Sequence, residues 1–193
     1  MEVIVKAWLS FHGRYSRAMP QDVDPFASRA AGDAVDLIVG QWLRERSDLD
    51  PSPMHVVGRI SRLYWALDER LCRVFEHYDL GRGEFDMLAT LRRSGPPFEL
   101  TAGELRDSTM VTSGAVTKRA DRLERAGLVS RRAAEDDARG RLIRLTDQGR
   151  DLIDEAVEQH IRNETRLLGG LTADERSTLT DLLRKLGQTL PSE

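Results

Sequence analysis

The sequence predicts a mainly α protein carrying one small β-hairpin. Apolar residues recur at i, i+3 or i+4 spacing along most of the 193-residue chain, the pattern of amphipathic helices. Two strand-like runs, Leu128 to Ala133 and Arg141 to Leu145, flank the polar loop AAEDDARG, which ends in Gly140. A polar, glycine-bearing loop between short strands reads as a hairpin. Charge is the third observation. Residues 111–150 hold ten Lys/Arg and six Asp/Glu, a net of +4 in a chain of formal net charge −3, so the remainder carries −7. A compact basic island in an acidic protein is an electrostatic footprint for a polyanion.

In chain order, residues 1–24 lack periodicity and read as a flexible tail. Asp24-Pro25 offers an N-cap and a first-turn proline, so a helix is expected from 25 to about 47, with Ala30, Ala34, Leu37, Ile38 and Trp42 on its apolar side. The segment from Asp48 to Pro53 stops it. A second helix is expected over 55–77. Val56, Ile60, Leu63, Leu67, Leu71 and Val74 form its stripe, and Val57, Tyr64 and Phe75 widen it, enough for more than one neighbour. Gly81 and Gly83 punctuate the chain before a helix over 83–93, which Gly95-Pro96-Pro97 ends. Thr101 to Glu104 fits a capping box, starting a short helix that closes near Asp107. After a turn of three to five residues, Thr112 caps a helix over 113–126, and Gly127 stands at the left-handed C-cap position. Past the hairpin, Thr146 caps a helix over 147–168. Thr172 to Glu175 form a second capping box before a last helix to about Leu190, with Leu179, Leu182, Leu183, Leu186 and Leu190 on one stripe. Apolar faces at the two ends of the chain find no partner within a small domain, which predicts an obligate dimer through N- and C-terminal helices.

Composition narrows the function classes. Hydrophobic content of 40% and charged content of 32% suit a helix-rich globular protein. With a pI near 5.9, nucleic-acid binding has to be local rather than a diffuse charge effect. One cysteine excludes an intramolecular disulfide and fits a reducing cytoplasm, the expected location. No run approaches the roughly 18 apolar residues of a membrane span, and MEVIVKAWLSF, broken by Lys6, lacks the cleavage site of a signal peptide. His12, His55, His77 and His160 are without metal-ligand spacing. Gly-x-Ser-x-Gly, the phosphate loop and His-Glu-x-x-His are all missing. No catalysis, metal or cofactor is therefore expected.

Functional chemistry concentrates in residues 113–126. Val116, Ala120 and Leu123 share one helical face and should pack inward. Ser113, Gly114, Thr117, Lys118 and Arg122 lie elsewhere. Small residues let a helix approach a groove wall, and Lys118 and Arg122 reach phosphates or guanine edges. A second helix after a short turn, its N-terminal part aimed at the major groove, is the helix-turn-helix mode. An ordinary helix with a solvated charged face explains that pattern equally well; the hairpin decides between them. At its tip a long cationic side chain, Arg139, can enter a minor groove, with Asp137 to hold the guanidinium, and Arg141 opens the second strand. The chain then divides into the tail over 1–24, N-terminal helices over 25–78, a winged helix-turn-helix over 79–149 that binds DNA, and C-terminal dimerisation helices over 150–193.

SGAVTKRADRLERAGLV followed by DDARGRLIRLTDQGR resembles the MarR family of winged helix-turn-helix regulators. The family's wing pattern, Asp-x-Arg followed by Leu-Thr-x-x-Gly, falls on Asp137, Arg139, Leu145, Thr146 and Gly149. The resemblance covers about residues 30 to 190. It implies a homodimer on pseudo-palindromic double-stranded DNA, its two recognition helices about one DNA turn, roughly 34 Å, apart. WLRERSDLDPSPMHVVGRI and GEFDMLATLRRSG further resemble the urate-responsive PecS/UrtR-like branch, which has an additional N-terminal helix. That resemblance implies a ligand set of Trp42, Asp86, Arg119 and Arg131.

The residue types suit such a set. Arg119, beside the inward face of its helix, wants a partner, and Asp86 can supply one. A planar anion such as urate meets an arginine bidentately, and Trp42 stacks or donates its indole N–H. Urate is expected to replace Asp86 as partner of the arginine pair and so pull on the recognition helix. The structural alternatives are a dimer-core anchor for Trp42 and a simple Asp86–Arg119 ion pair. The functional expectation is a repressor that leaves its operator on binding a small anionic aromatic ligand. Rival readings are another phenolic or purine ligand, oxidation of Cys72, and an interaction module without DNA binding. Cys72 lies beside an apolar face, where plain packing is its ordinary role. Lys118, Arg122 and Arg139 together disfavour the last reading.

Overall fold

The computed structural model describes residues 32–109, 113–133 and 141–190. Its helices are α1 (Ala34–Glu45), α2 (Met54–Glu76), α3 (Arg82–Arg93), α4 (Ala102–Thr109), α5 (Ser113–Arg125), α6 (Asp147–Leu167) and α7 (Ala173–Thr189). Strands β1 (Glu99–Thr101), β2 (Val129–Ala133) and β3 (Arg141–Leu145) form one antiparallel sheet in the order β1-β3-β2. The chain separates into two compact units, Met1–Trp65 and Ala66–Glu193. Among the described residues, no helix is long and apolar enough to cross a membrane.

In the first unit, α1 begins at Asp33 rather than running from residue 25. Asp33 is extended and accepts from the backbone N–H groups of Val35 and Asp36, while Asp36 accepts from the Asp33 N–H. This closed capping box, preceded by Gly32 at φ +76, interrupts any continuous helix through residue 33. The Asp24-Pro25 start lies outside the described residues. Val35 and Val39 are buried, and Val35 packs against Gly58, where a Cβ would stand 3.2 Å from Val35 Cγ1. Arg59 donates to Asp33 and Asp36 at 2.8 to 3.1 Å, which holds the Asp36 carboxyl below the usual carboxylate range.

The second unit holds the main core. Leu88, Leu91, Leu105, Val116, Leu123 and Ile153 are at most 1% exposed, so α3, α4, α5 and α6 close on one another through their apolar stripes. Phe75 and Phe85 stack with centroids 4.1 Å apart, and the His160 ring lies about 5 Å from both. Arg92 donates to Asp154 at 2.6 and 3.2 Å, tying α3 to α6. The expected capping boxes at Thr101–Glu104 and Thr172–Glu175 both form. One strand is new: Glu99, Leu100 and Thr101 pair with Arg144, Ile143 and Leu142.

The Leu145-Thr146-x-x-Gly149 pattern has a local cause. Gly127, at φ +74, ends α5, with the Leu128 N–H bonded to the Leu123 carbonyl and the Gly127 N–H to that of Glu124, a Schellman cap. Thr146 Oγ1 accepts from the Gly149 N–H and donates to the Gly127 carbonyl at 2.7 Å. A Cβ on Gly149 would overlap the Leu128 carbonyl oxygen. The start of α6 is thereby locked onto the end of α5.

Candidate nucleic-acid interface and effector site

Helix α5 presents two differently engaged sides. Val116, Ala120 and Leu123 are each 1% exposed and seat the helix in the core. Gly114, Thr117 and Lys118 share the exposed side, and a Cβ on Gly114 would meet nothing within 4 Å. This is the small-then-cationic surface that a groove wall requires. Arg141 is exposed at the start of β3. Ser113 opens the helix. Asp137 and Arg139 of the wing tip, and Thr112, lie outside the described residues.

Arg122 is half-exposed, one turn beyond Lys118, and also has acceptors within the chain. Its Nη2 donates to the Asp79 carbonyl at 3.1 Å, and its Nε lies 3.3 Å from Glu84 Oε1. The cause is the Glu84 carboxylate, only 9% exposed, which demands a cation.

The proposed ligand residues are also arranged differently from expectation. The Arg119 guanidinium lies directly on Gly83, where a Cβ would overlap it. Asp86 follows one turn later on α3, exposed, and no ion pair joins it to either arginine. Arg131, 12% exposed, is instead engaged by α5 itself: it hydrogen-bonds Asp121, and its Nε stands 3.3 Å from Glu124, off the line of a hydrogen bond. Two carboxylates one turn apart on α5 outcompete the single, more distant Asp86. Trp42, 43% exposed on α1, belongs to the first unit. Cys72 is half-buried and packs against the main core. Sequence reasoning missed Gly83, Glu84 and Asp79, although Gly83 and Glu84 open the same GEFD segment that drew attention to Asp86.

Comparison with known proteins decides the family. The MarR family model matches residues 78–140. The chain is 41% identical over 153 residues to the transcriptional regulator PecS of Dickeya dadantii, covering 79% of this chain and 92% of that one. The chain belongs to the MarR family. It is a DNA-binding transcriptional regulator with that family's winged helix-turn-helix. A cysteine-to-serine mutant of MarR from E. coli, solved in complex with operator DNA, is 29% identical, covers 74% of this chain and all of that one, and superposes with a TM-score of 0.61. Sco3205 of Streptomyces coelicolor, also solved with DNA, has a TM-score of 0.67 over 75% of this chain and 95% of that one; at 21% identity it speaks to the fold alone. Within this MarR fold, α5 occupies the position of the second helix of the helix-turn-helix and β2–β3 that of the wing.

Proposed function

We propose that the chain is a homodimeric repressor released from a pseudo-palindromic operator by a small anionic aromatic ligand such as urate. Ser113, Gly114, Thr117 and Lys118 of α5, with Arg141 and the wing residues Asp137 and Arg139, contact the DNA. Asp86 and Arg119 serve the ligand, and Arg131, engaged by Asp121 and Glu124, and Trp42 are further candidates on the family resemblance alone. The observation that carries the ligand reading is Arg119. Its guanidinium lies on the Gly83 backbone with no carboxylate partner among the described residues, one helical turn from Asp86. Guanidinium donors left without an anion suit a planar bidentate acceptor. Because Arg119 and Lys118 are neighbours on α5, a ligand that draws Arg119 moves the DNA-facing side with it.

The second copy answers the exposed leucines. α7 buries no residue, and Leu179, Leu182, Leu183, Leu186 and Leu190 are 38 to 64% exposed along one stripe. Burying a leucine is worth about 1.5–3 kcal/mol, so a self-complementary stripe favours association.

Binding of the full chain to the DNA upstream of its own gene, titrated separately with urate, xanthine, salicylate and peroxide, tests the proposal. Release by urate is expected. Release by peroxide alone transfers the trigger to Cys72 and overturns the ligand reading.

A further inference from the structure

Arg122 supports an inference of its own. Its guanidinium Nη2 donates to the Asp79 carbonyl at 3.1 Å and lies 3.5 Å from the Asp79 carboxylate, while Nε lies 3.3 Å from Glu84 Oε1. Glu84 is buried, and its other oxygen accepts the Gly81 N–H at 2.7 Å, closing the first turn of α3. A buried carboxylate without a cation is strongly unfavourable, and Arg122 is the cation within ion-pair distance of Glu84 among the described residues. Asp79 sits at φ +53, where non-glycine residues are uncommon, and the carbonyl of that tight turn is the one Arg122 binds. Three residues earlier on α5, Arg119 lies on Gly83 of the same segment. Two arginines one turn apart thus grip residues 79–84 from the recognition helix.

We propose that Arg122 is a positioning residue: through Glu84 and the Asp79 turn it sets the register of α5 against the start of α3, and it does not bind a DNA phosphate. Its guanidinium, half-exposed, is held between a buried carboxylate and a turn carbonyl. Losing either partner lets α5 slide and misaligns Gly114, Thr117 and Lys118 together. The proposal rests on α5 being the helix that reads DNA, which the wild-type chain tests separately by binding its operator with a steep salt dependence.

The deciding experiment measures operator affinity against salt for Arg122→Gln, Glu84→Gln, the double variant and Arg122→Lys, each below its unfolding transition. A phosphate contact contributes about 0.9 to the slope of log affinity against log salt. The account expects Arg122→Gln and Glu84→Gln each to weaken binding several-fold with the wild-type slope. It expects the double variant to bind no worse than the weaker single, because both remove one interaction, and Arg122→Lys to recover part of the loss. A slope lowered by about one unit in Arg122→Gln, with Glu84→Gln binding like wild type, overturns it. So does a lowered melting temperature with unchanged affinity in both, the mark of a merely stabilising ion pair. Should Glu84→Gln not fold, the slope of Arg122→Gln decides: unchanged supports the proposal, reduced overturns it.

Discussion

Helices α5 and α7 are both amphipathic, both lie in the second compact unit, and end in opposite situations. The apolar stripe of α5 is closed off: Val116, Ala120 and Leu123 are each 1% exposed. That of α7 is open, with four leucines and the C-cap Leu190 exposed and no residue buried. A stripe satisfied within the chain leaves the polar side free for a ligand, here DNA. An unsatisfied stripe makes the apolar side the functional one, here for a second copy. What distinguishes the two is not their amphipathicity but whether the described residues supply the opposing surface.

The largest effect should come from trading leucines between the two stripes. Leu123→Ala should cost about 2–5 kcal/mol of stability, measured by urea unfolding, and abolish operator binding near physiological temperature. Leu182→Ala combined with Leu186→Ala should leave the secondary structure intact and lower the sedimentation mass towards the monomer. Equal losses of stability in dilute samples of both variants would erase the contrast between the helices.

Lys118→Ala comes next. It lies on the open side of α5, so stability should stay within about 0.5 kcal/mol of wild type while the salt slope of operator binding falls by about one. Gly83→Ala should have a subtler signature. An added Cβ overlaps the Arg119 guanidinium, the movable end of a long side chain, and alanine is a better helix former by up to about 1 kcal/mol. Melting temperature should hold or rise while the urate response, read by titration of the operator complex, is lost.

The smallest effect concerns the sheet beside the wing. Arg132 donates to both Glu99 oxygens at 2.8 and 2.9 Å, and these bonds hold the Glu99 carboxyl below its ordinary value, against the opposing influence of burial. A folded value below the unfolded one means this stabilisation is complete above the ordinary glutamate range and is lost as pH falls through the lowered value. Glu99→Gln should therefore lower the melting temperature slightly at pH 7, and its difference from wild type should shrink as pH falls through the lowered Glu99 value, which flattens the acid side of the profile.

What could be read from the sequence depended on how local its cause was. Helix spacing, the caps at Thr101, Thr146 and Thr172, and the Gly127 stop follow from neighbours within a few residues, and all were legible. β1 was not, because Glu99-Leu100-Thr101 has no strand signal apart from its pairing with β3, and Thr101 reads as a helix cap, which it also is. The α1 start at Asp33 was missed because the Asp24-Pro25 signal stands earlier in the chain, and the extended backbone and closed capping box that mark Asp33 as the N-cap show only in the structure. At the site, the exposed side of α5 followed from helical spacing. The partners of Arg119, Arg122 and Arg131 did not: each depends on which carboxylate or glycine a second element brings within reach, and the sequence offers many acidic candidates for every arginine.

The most direct test of the central claim, that one helix reads DNA on its outer side and answers a ligand on its flank, compares Asp86→Asn with Lys118→Ala. Operator affinity is measured for each with and without urate. The account predicts that Asp86→Asn binds the operator like wild type and no longer releases it with urate, while Lys118→Ala binds more weakly and keeps the wild-type fold-change on adding urate. Equal fold-changes with urate in both variants would contradict it.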